Sequence, residues 1–210
     1  DVYKRQMVTR ITPQKGFDLV QCVLDELMDS EDMAFVLLGT GNAEYEDFMR
    51  SAEWRHKGRL CAYIGYDEAL SHRVYAGSDF LLMPSSFEPC GLSQMIAMRY
   101  GTLPIVRETG GLRDSVQPYN RFTGEGTGFS FANFNAYELA DTVRRALALY
   151  RDEHDAYLRV QRQAMAQDFS FTRSAEDYAH LYLLLLPEDT APKHDAGDEA
   201  FRRPLGALET

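Results

Sequence analysis

"MPSSFEPCGLSQMIAMRYGTLPIVRETGG", residues 83–111, opens on the end of an apolar run and places an acid, Glu88, at the junction with a second apolar run. The first run, "DFLLMPSS", has strand length, and the second, "CGLSQMIAMRYG", has helical spacing and ends on Gly101, a helix C-cap. "TLPIV" then begins another strand. A strand–helix–strand unit whose strands are near-continuous in Val, Ile and Leu belongs to a parallel sheet covered on both faces. An ordinary surface turn does not need a carboxylate, a proline, a thiol and a glycine at that junction.

The same alternation extends in both directions. Upstream lie the strand stub "QMVTRIT", the helix "GFDLVQCVLDELMDS" and the strand "AFVLLGTG". The helix "AEYEDFMRSAEW", the strand "RLCAYIGY" and the helix "DEALSHRVYAGS" follow. Downstream, "TGFSF" reads as the last strand. "NAYELADTVRRALALYRDEHDAYLRVQRQAMAQ" and "TRSAEDYAHLYLLLL" read as two or three closing helices. The spacing therefore predicts an α/β, Rossmann-like domain over residues 7–186. Residues 1–6, "DVYKRQ", are polar where a buried first strand should begin and read as a truncation or cloning scar; the chain is expected to be a piece of a longer protein. Residues 187–210 are polar, acidic and rich in Ala, Gly and Pro, and read as a tail with little fixed structure. In a parallel sheet of this kind, ligands bind beyond the carboxyl ends of the strands. Every loop of interest here follows a strand, at that edge.

Composition narrows the chemistry. An apolar fraction of 45% over 210 residues is enough for a substantial core. A net charge of -10 opposes a general nucleic-acid surface, though a local basic pocket can still hold a small anion. No apolar run is long enough to span a bilayer. Three cysteines without metal-ligand spacing and without a signal peptide suit a reducing cytoplasm, with Cys22 and Cys61 expected in the core. No metal site or cofactor is indicated.

Five segments are candidates for chemistry. In "TRITPQKGFDLV", Arg10 and Lys15 flank a strand–loop–helix junction, where exposed amides and two cations can grip an anion; taken alone, two ordinary surface cations are the better fit. In "YIGYDEALSH", Tyr66 follows a strand and could stack on a nucleobase, but taken alone a core or rim aromatic is the better fit. "LLGTGNAEYEDF" holds Gly39 and Gly41 but lacks the third glycine of a dinucleotide fingerprint, so it reads as a plain turn and a nicotinamide dehydrogenase is excluded. In the opening segment, Gly91 lets the backbone approach a ligand, and the amides of Leu92 and Ser93 point out of a helix start. Such amides favour phosphate, whereas Glu88 disfavours it and suits a hydroxyl-rich sugar. An acid that merely stabilises its helix N-terminus is the competing explanation. Gly110 and Gly111 in "RETGGLRDSV" serve either close packing, against a ligand or a loop, or a tight turn.

Together "TRITPQKGFDLV", "YIGYDEALSHRVYAGSDFLLMPSSFEPCGLSQ", "YGTLPIVRETGGLRDSV" and "FSFTRSAEDYAHLY" resemble, in order, the C-terminal half of the bacterial glycogen synthase and plant starch synthase family. "FEPCGLSQ" followed by "YGTLPIVRETGGL" is the most specific part. The resemblance implies a GT-B glycosyltransferase, with this chain as its donor-binding domain. It implies that Arg10 and Lys15 hold the diphosphate of ADP-glucose, that Tyr66 stacks on adenine and that Glu88 binds glucose hydroxyls. The backbone from Cys90 through Gly91, Leu92 and Ser93, with Gly110 and Gly111, would face the donor. The reaction implied is retaining transfer of glucose to the nonreducing end of an α-1,4-glucan held mainly by an absent N-terminal domain, so this chain alone is expected to be inactive. Broader retaining transferases carry a second Glu eight residues after the first; here that position is Ile96, which fits the glycogen-synthase branch. A UDP-glucose transferase of the same architecture and a non-catalytic nucleotide-sugar module remain as alternatives.

Overall fold

The computed structural model describes residues 3–185; the tail expected over 187–210 lies outside the described residues. Six strands, all parallel, make one sheet: β1 (Tyr3–Val8), β2 (Met33–Gly39), β3 (Leu60–Ile64), β4 (Phe80–Met83), β5 (Leu103–Arg107) and β6 (Phe129–Phe131), in the order β3-β2-β1-β4-β5-β6. Between and after them run α1 (Phe17–Ser30), α2 (Ala43–Arg55), α3 (Glu68–Ala76), α4 (Ser93–Arg99), α5 (Gly110–Ser115), α6 (Ala136–Asp152), α7 (His154–Met165) and α8 (Phe171–Leu185). The strand order grows outward from β1 in one direction and, after α3 crosses back, from β4 in the other. Right-handed crossovers then put α1 and α2 on one face and α3, α4 and α5 on the other. Packing agrees: α1 lies against α2 and α6, while α4 lies against α3, α5 and α7.

The middle strands are buried along their length, as their apolar runs require: all four residues of β4 and the first four of β5 are inaccessible. Phe80 on β4 meets Phe129, Tyr150 and Tyr157 edge-on at 6.0, 6.2 and 5.6 Å, and this cluster fastens α6 and α7 to the sheet. Gly101, in the left-handed region at φ 81°, follows α4 as the sequence predicts.

Two details depart from the sequence reading. β1 reaches back to Tyr3 and pairs in register with β2 from Met33, so the polar residues before Met7 lie in a central strand. Within it, Gln6 is fully buried, and among the described residues neither its side-chain nitrogen nor its oxygen has a partner. Such burial costs about 1–3 kcal/mol per group. Cys22 and Cys61 are exposed rather than in the core. On α1 the buried face is Leu19, Val20, Val23, Leu24, Leu27 and Met28, and the helical period turns Cys22 off it. β3 is the sheet edge, where only Leu60 is fully buried and Cys61 and Tyr63 face outward.

The chain divides into two compact units with the boundary between Gln167 and Asp168. The first holds the sheet and α1–α7. The second contains α8, on which Phe171, Tyr178, Tyr182, Leu184 and Leu185 are exposed. Among the described residues no helix is long and apolar enough to cross a membrane.

Candidate active site

In a sheet ordered β3-β2-β1-β4-β5-β6, successive strands reverse direction of growth between β1 and β4. The two loops that leave neighbouring strands there part to opposite faces, and the crevice between them is where open α/β sheets take ligands. The loop after β1 carries Arg10 and Lys15; the loop after β4 carries Ser85 to Leu92. Sequence positions 73 residues apart are thereby placed at one spot.

Backbone contacts fix the first loop against the second. After a 3-10 turn, Pro13–Lys15, the chain passes through Gly16 at φ 76° into α1. A Cβ on Gly16 would lie 2.2 Å from the Pro84 carbonyl oxygen, so only glycine fits. The Ser86 amide donates to the Gln14 carbonyl at 2.9 Å, and Gln14 Nε2 donates to the Phe87 carbonyl at 3.2 Å. Across this seam Lys15 Nζ forms an ion pair with Glu88 Oε2, their side chains only 15% and 10% exposed. Ser85 Oγ lies 3.4 Å from the same carboxylate oxygen.

A third loop braces Glu88 from behind. Gly110 and Gly111, entering α5 after β5, lie against its backbone: added Cβ atoms would fall 2.1 Å from the Glu88 oxygen and 2.2 Å from that of Cys90. The Gly111 amide donates to the carbonyls of Glu88 and Pro89 at 3.1 and 3.2 Å. Of the uses the sequence left open for this glycine pair, packing against a neighbouring loop is the one observed. Under the turn at Gly91 (φ 76°), Gln94 is fully buried and its amide nitrogen donates to the carbonyls of Cys90 and Gly91 and to Ser115 Oγ, each at 3.0 Å. Burial raises the Tyr75 phenol's pKa, and a hydrogen bond with the Ser93 side chain opposes that rise.

Arg10 is exposed at the carboxyl end of β1. Tyr66 is 83% exposed past the end of β3, on the same sheet edge but two strands from β1. Cys90 and Leu92 are exposed on the loop after β4. Lys15 and Glu88 therefore meet directly, Gly91 and Gly110–Gly111 shape the loop that carries Glu88, and Arg10 and Tyr66 line the same edge without touching that pair. Gly39 and Gly41 have a purely structural explanation: their added Cβ atoms would meet the Thr9 and Ile11 carbonyl oxygens at 1.9 and 2.0 Å, so the loops after β1 and β2 pack backbone to backbone.

Sequence reasoning missed the supports, namely Gln14, Gln94 and Arg107. Gln94 had a signal, a polar residue on the apolar face of a short helix. So did Arg107, a cation closing a fully buried strand. Gln14 had none. Chemically, this end of the sheet offers an exposed guanidinium and, at the strand-order switch, a nearly buried ammonium paired with a carboxylate, groups that suit a ligand with both an anionic and a hydroxyl-bearing part. Among the described residues no three of His, Cys, Asp and Glu are grouped to hold a metal ion.

Comparison with known proteins agrees with this architecture. Residues 5–163 match the family described as glycosyl transferases group 1, and the chain belongs to that family. Within it the chain is 53% identical over 189 residues to a glycogen synthase of Geobacillus thermodenitrificans and 52% identical over 189 residues to that of Geobacillus stearothermophilus. These alignments cover 90% of this chain and 39% of each relative, so the chain spans about two-fifths of the curated relatives' length. Among solved structures, the catalytic domain of starch synthase IV from Arabidopsis thaliana, bound to ADP and acarbose, superposes with a TM-score of 0.78 at 36% identity, covering 86% of this chain and 38% of that one. The C-terminal domain of a group 1 glycosyl transferase from Francisella tularensis shares the fold, with a TM-score of 0.59 at 16% identity, covering 78% and 82%.

Proposed function

We propose that the chain is the donor-binding part of a glycogen or starch synthase, which moves glucose from ADP-glucose to the nonreducing end of an α-1,4-glucan with retention of configuration in the cytoplasm. The observation that carries this reading is the Lys15–Glu88 pair at the strand-order switch, with Arg10 exposed at the end of β1. The identity to curated glycogen synthases and to a starch synthase bound to ADP supports it.

In this reading Arg10 and Lys15 take the diphosphate, Tyr66 stacks on the base and Glu88 accepts hydrogen bonds from glucose hydroxyls. The backbone from Cys90 to Ser93 lies along the donor. Lys15 and Glu88 pair with each other in the structure; in this reading the donor offers phosphate oxygens to one and hydroxyls to the other. During transfer the bond from the anomeric carbon to the phosphate oxygen breaks and a bond to the acceptor 4-oxygen forms on the same face. The acceptor proton passes to the departing phosphate, so no side chain becomes a covalent nucleophile. Charge grows on that phosphate, and cations already aimed at it lower the barrier; losing one such group costs on the order of 100-fold or more in rate.

The acceptor groove is assigned to sequence that the relatives have beyond the matched two-fifths. The 210-residue chain alone is therefore expected to elongate no maltooligosaccharide with ADP-glucose or UDP-glucose. A fusion to the remaining part of the Geobacillus stearothermophilus enzyme is expected to elongate it with ADP-glucose. Elongation by the chain alone would contradict the division of labour, and a folded but inactive fusion would contradict the transferase reading.

A further inference from the structure

Arg107 closes β5 and reaches sideways into the loop after β4. Its Nη1 donates to the Ser86 carbonyl at 2.6 Å and lies 3.4 Å from the Ser85 carbonyl. Its guanidinium lies over the Phe134 ring, 5.6 Å from the centroid, in the segment between β6 and α6. Its Nε is buried without a partner, and among the described residues Arg107 forms no ion pair. A part-buried cation held only by neutral oxygens and one ring is costly to desolvate. A simple brace between two loops needs no charge, so the reason lies in what the two carbonyls control.

Ser85 and Ser86 precede Glu88 by three and two residues, and Ser85 Oγ lies beside the Glu88 carboxylate. On the other side of this segment the Ser86 amide and hydroxyl both donate to the Gln14 carbonyl, one residue before Lys15. Arg107 thus clamps from β5 the same two residues that the Lys15 loop holds from β1. Gly110 and Gly111, three and four residues after Arg107, press on the Glu88 backbone itself. We propose that Arg107 is a positioning residue that sets the Glu88 carboxylate for sugar recognition, a role that rests on the donor-binding reading above. Removing it frees the loop before Glu88 while leaving Arg10 and Lys15 in place, so the sugar loses its anchor and the diphosphate keeps its own.

The test compares the wild-type chain with Arg107→Ala, and with Arg107→Met, which keeps the aliphatic stem for packing. Calorimetric titration is run with ADP-glucose and with ADP, alone and in a Glu88→Ala background. Loss of one positioned hydrogen-bonding group corresponds to about tenfold in affinity. The expected result is therefore about tenfold weaker ADP-glucose binding, ADP binding unchanged within about twofold, and no additional loss of ADP-glucose affinity when Arg107 is replaced in the Glu88→Ala chain. Equal losses for both ligands, or losses that multiply with Glu88→Ala, would overturn the proposal. Amide hydrogen exchange judges it without any ligand. Exchange over residues 85–90 should rise at least about tenfold in both variants while β1 and β2 stay protected, and unchanged exchange there would also overturn it. A wild-type chain that takes neither ligand would defeat the donor-binding reading, and the exchange result would still decide whether Arg107 orders the Glu88 loop.

Discussion

Gly110→Ala destabilises the chain by roughly 3 kcal/mol, whereas Gly124→Ala costs about 1 kcal/mol. Both glycines have positive φ, 44° and 75°. They differ in surroundings: a Cβ on Gly124 meets nothing within 4 Å, but one on Gly110 would lie 2.1 Å from the Glu88 carbonyl oxygen. Gly124→Ala adds only the left-handed backbone penalty. Gly110→Ala also forces the loop carrying Glu88 to move, because the opposing atom is backbone and cannot swing aside. Urea unfolding of the two variants checks this, and equal costs would show that the two loops do not pack as described.

Lys15→Ala is expected to cost about 2–3 kcal/mol, far more than a typical surface lysine, because it leaves the Glu88 carboxylate nearly buried beside a lone hydroxyl. A pair whose side chains are 15% and 10% exposed lies well beyond the surface class. The control is the double variant Lys15→Met/Glu88→Gln, which removes both charges and keeps both shapes. It should return to within about 1 kcal/mol of the unsubstituted chain. Urea unfolding of the cycle reads the coupling directly. Additive losses would mean that the two groups do not stabilise each other in solution.

The sheet was legible because its signal is local. Runs such as "FLLM" and "LPIV" are apolar at every position, and "FLLM" leads on to residues at helical spacing. The places where the local signal failed have clear causes. Gln6 and its polar neighbours hid the start of β1, since pairing to β2 and β4 outweighs the composition of that stretch. Cys61 was misplaced because nothing in "RLCAYIGY" says that β3 is the last strand on its side. α5 was invisible for a third reason: "GGLRDS" begins with two glycines and is only six residues long.

The candidate site was legible in its members and not in its wiring. Glu88 could be named because a carboxylate stands out at the junction of two apolar runs, whereas Arg10 and Lys15 carried only a weak local signal and were named through the family resemblance. That Lys15 and Glu88 form an ion pair required the strand order, which brings β1 beside β4 only after two intervening strands have been laid on the other side. The same holds for Gly110 and Gly111: their pattern demanded close approach, but only the fold shows that the approaching atoms are the carbonyls of Glu88 and Cys90.

The central claim is that the crevice between the loops after β1 and β4 binds a nucleotide diphosphate sugar through Arg10, Lys15 and Glu88. Calorimetric titration of the chain with ADP-glucose tests it most directly, with Lys15→Ala and Arg10→Ala as the comparison. Saturable binding, weakened about tenfold or more by either substitution, is the predicted result. Binding that neither substitution weakens would place the ligand elsewhere on the molecule and contradict the account.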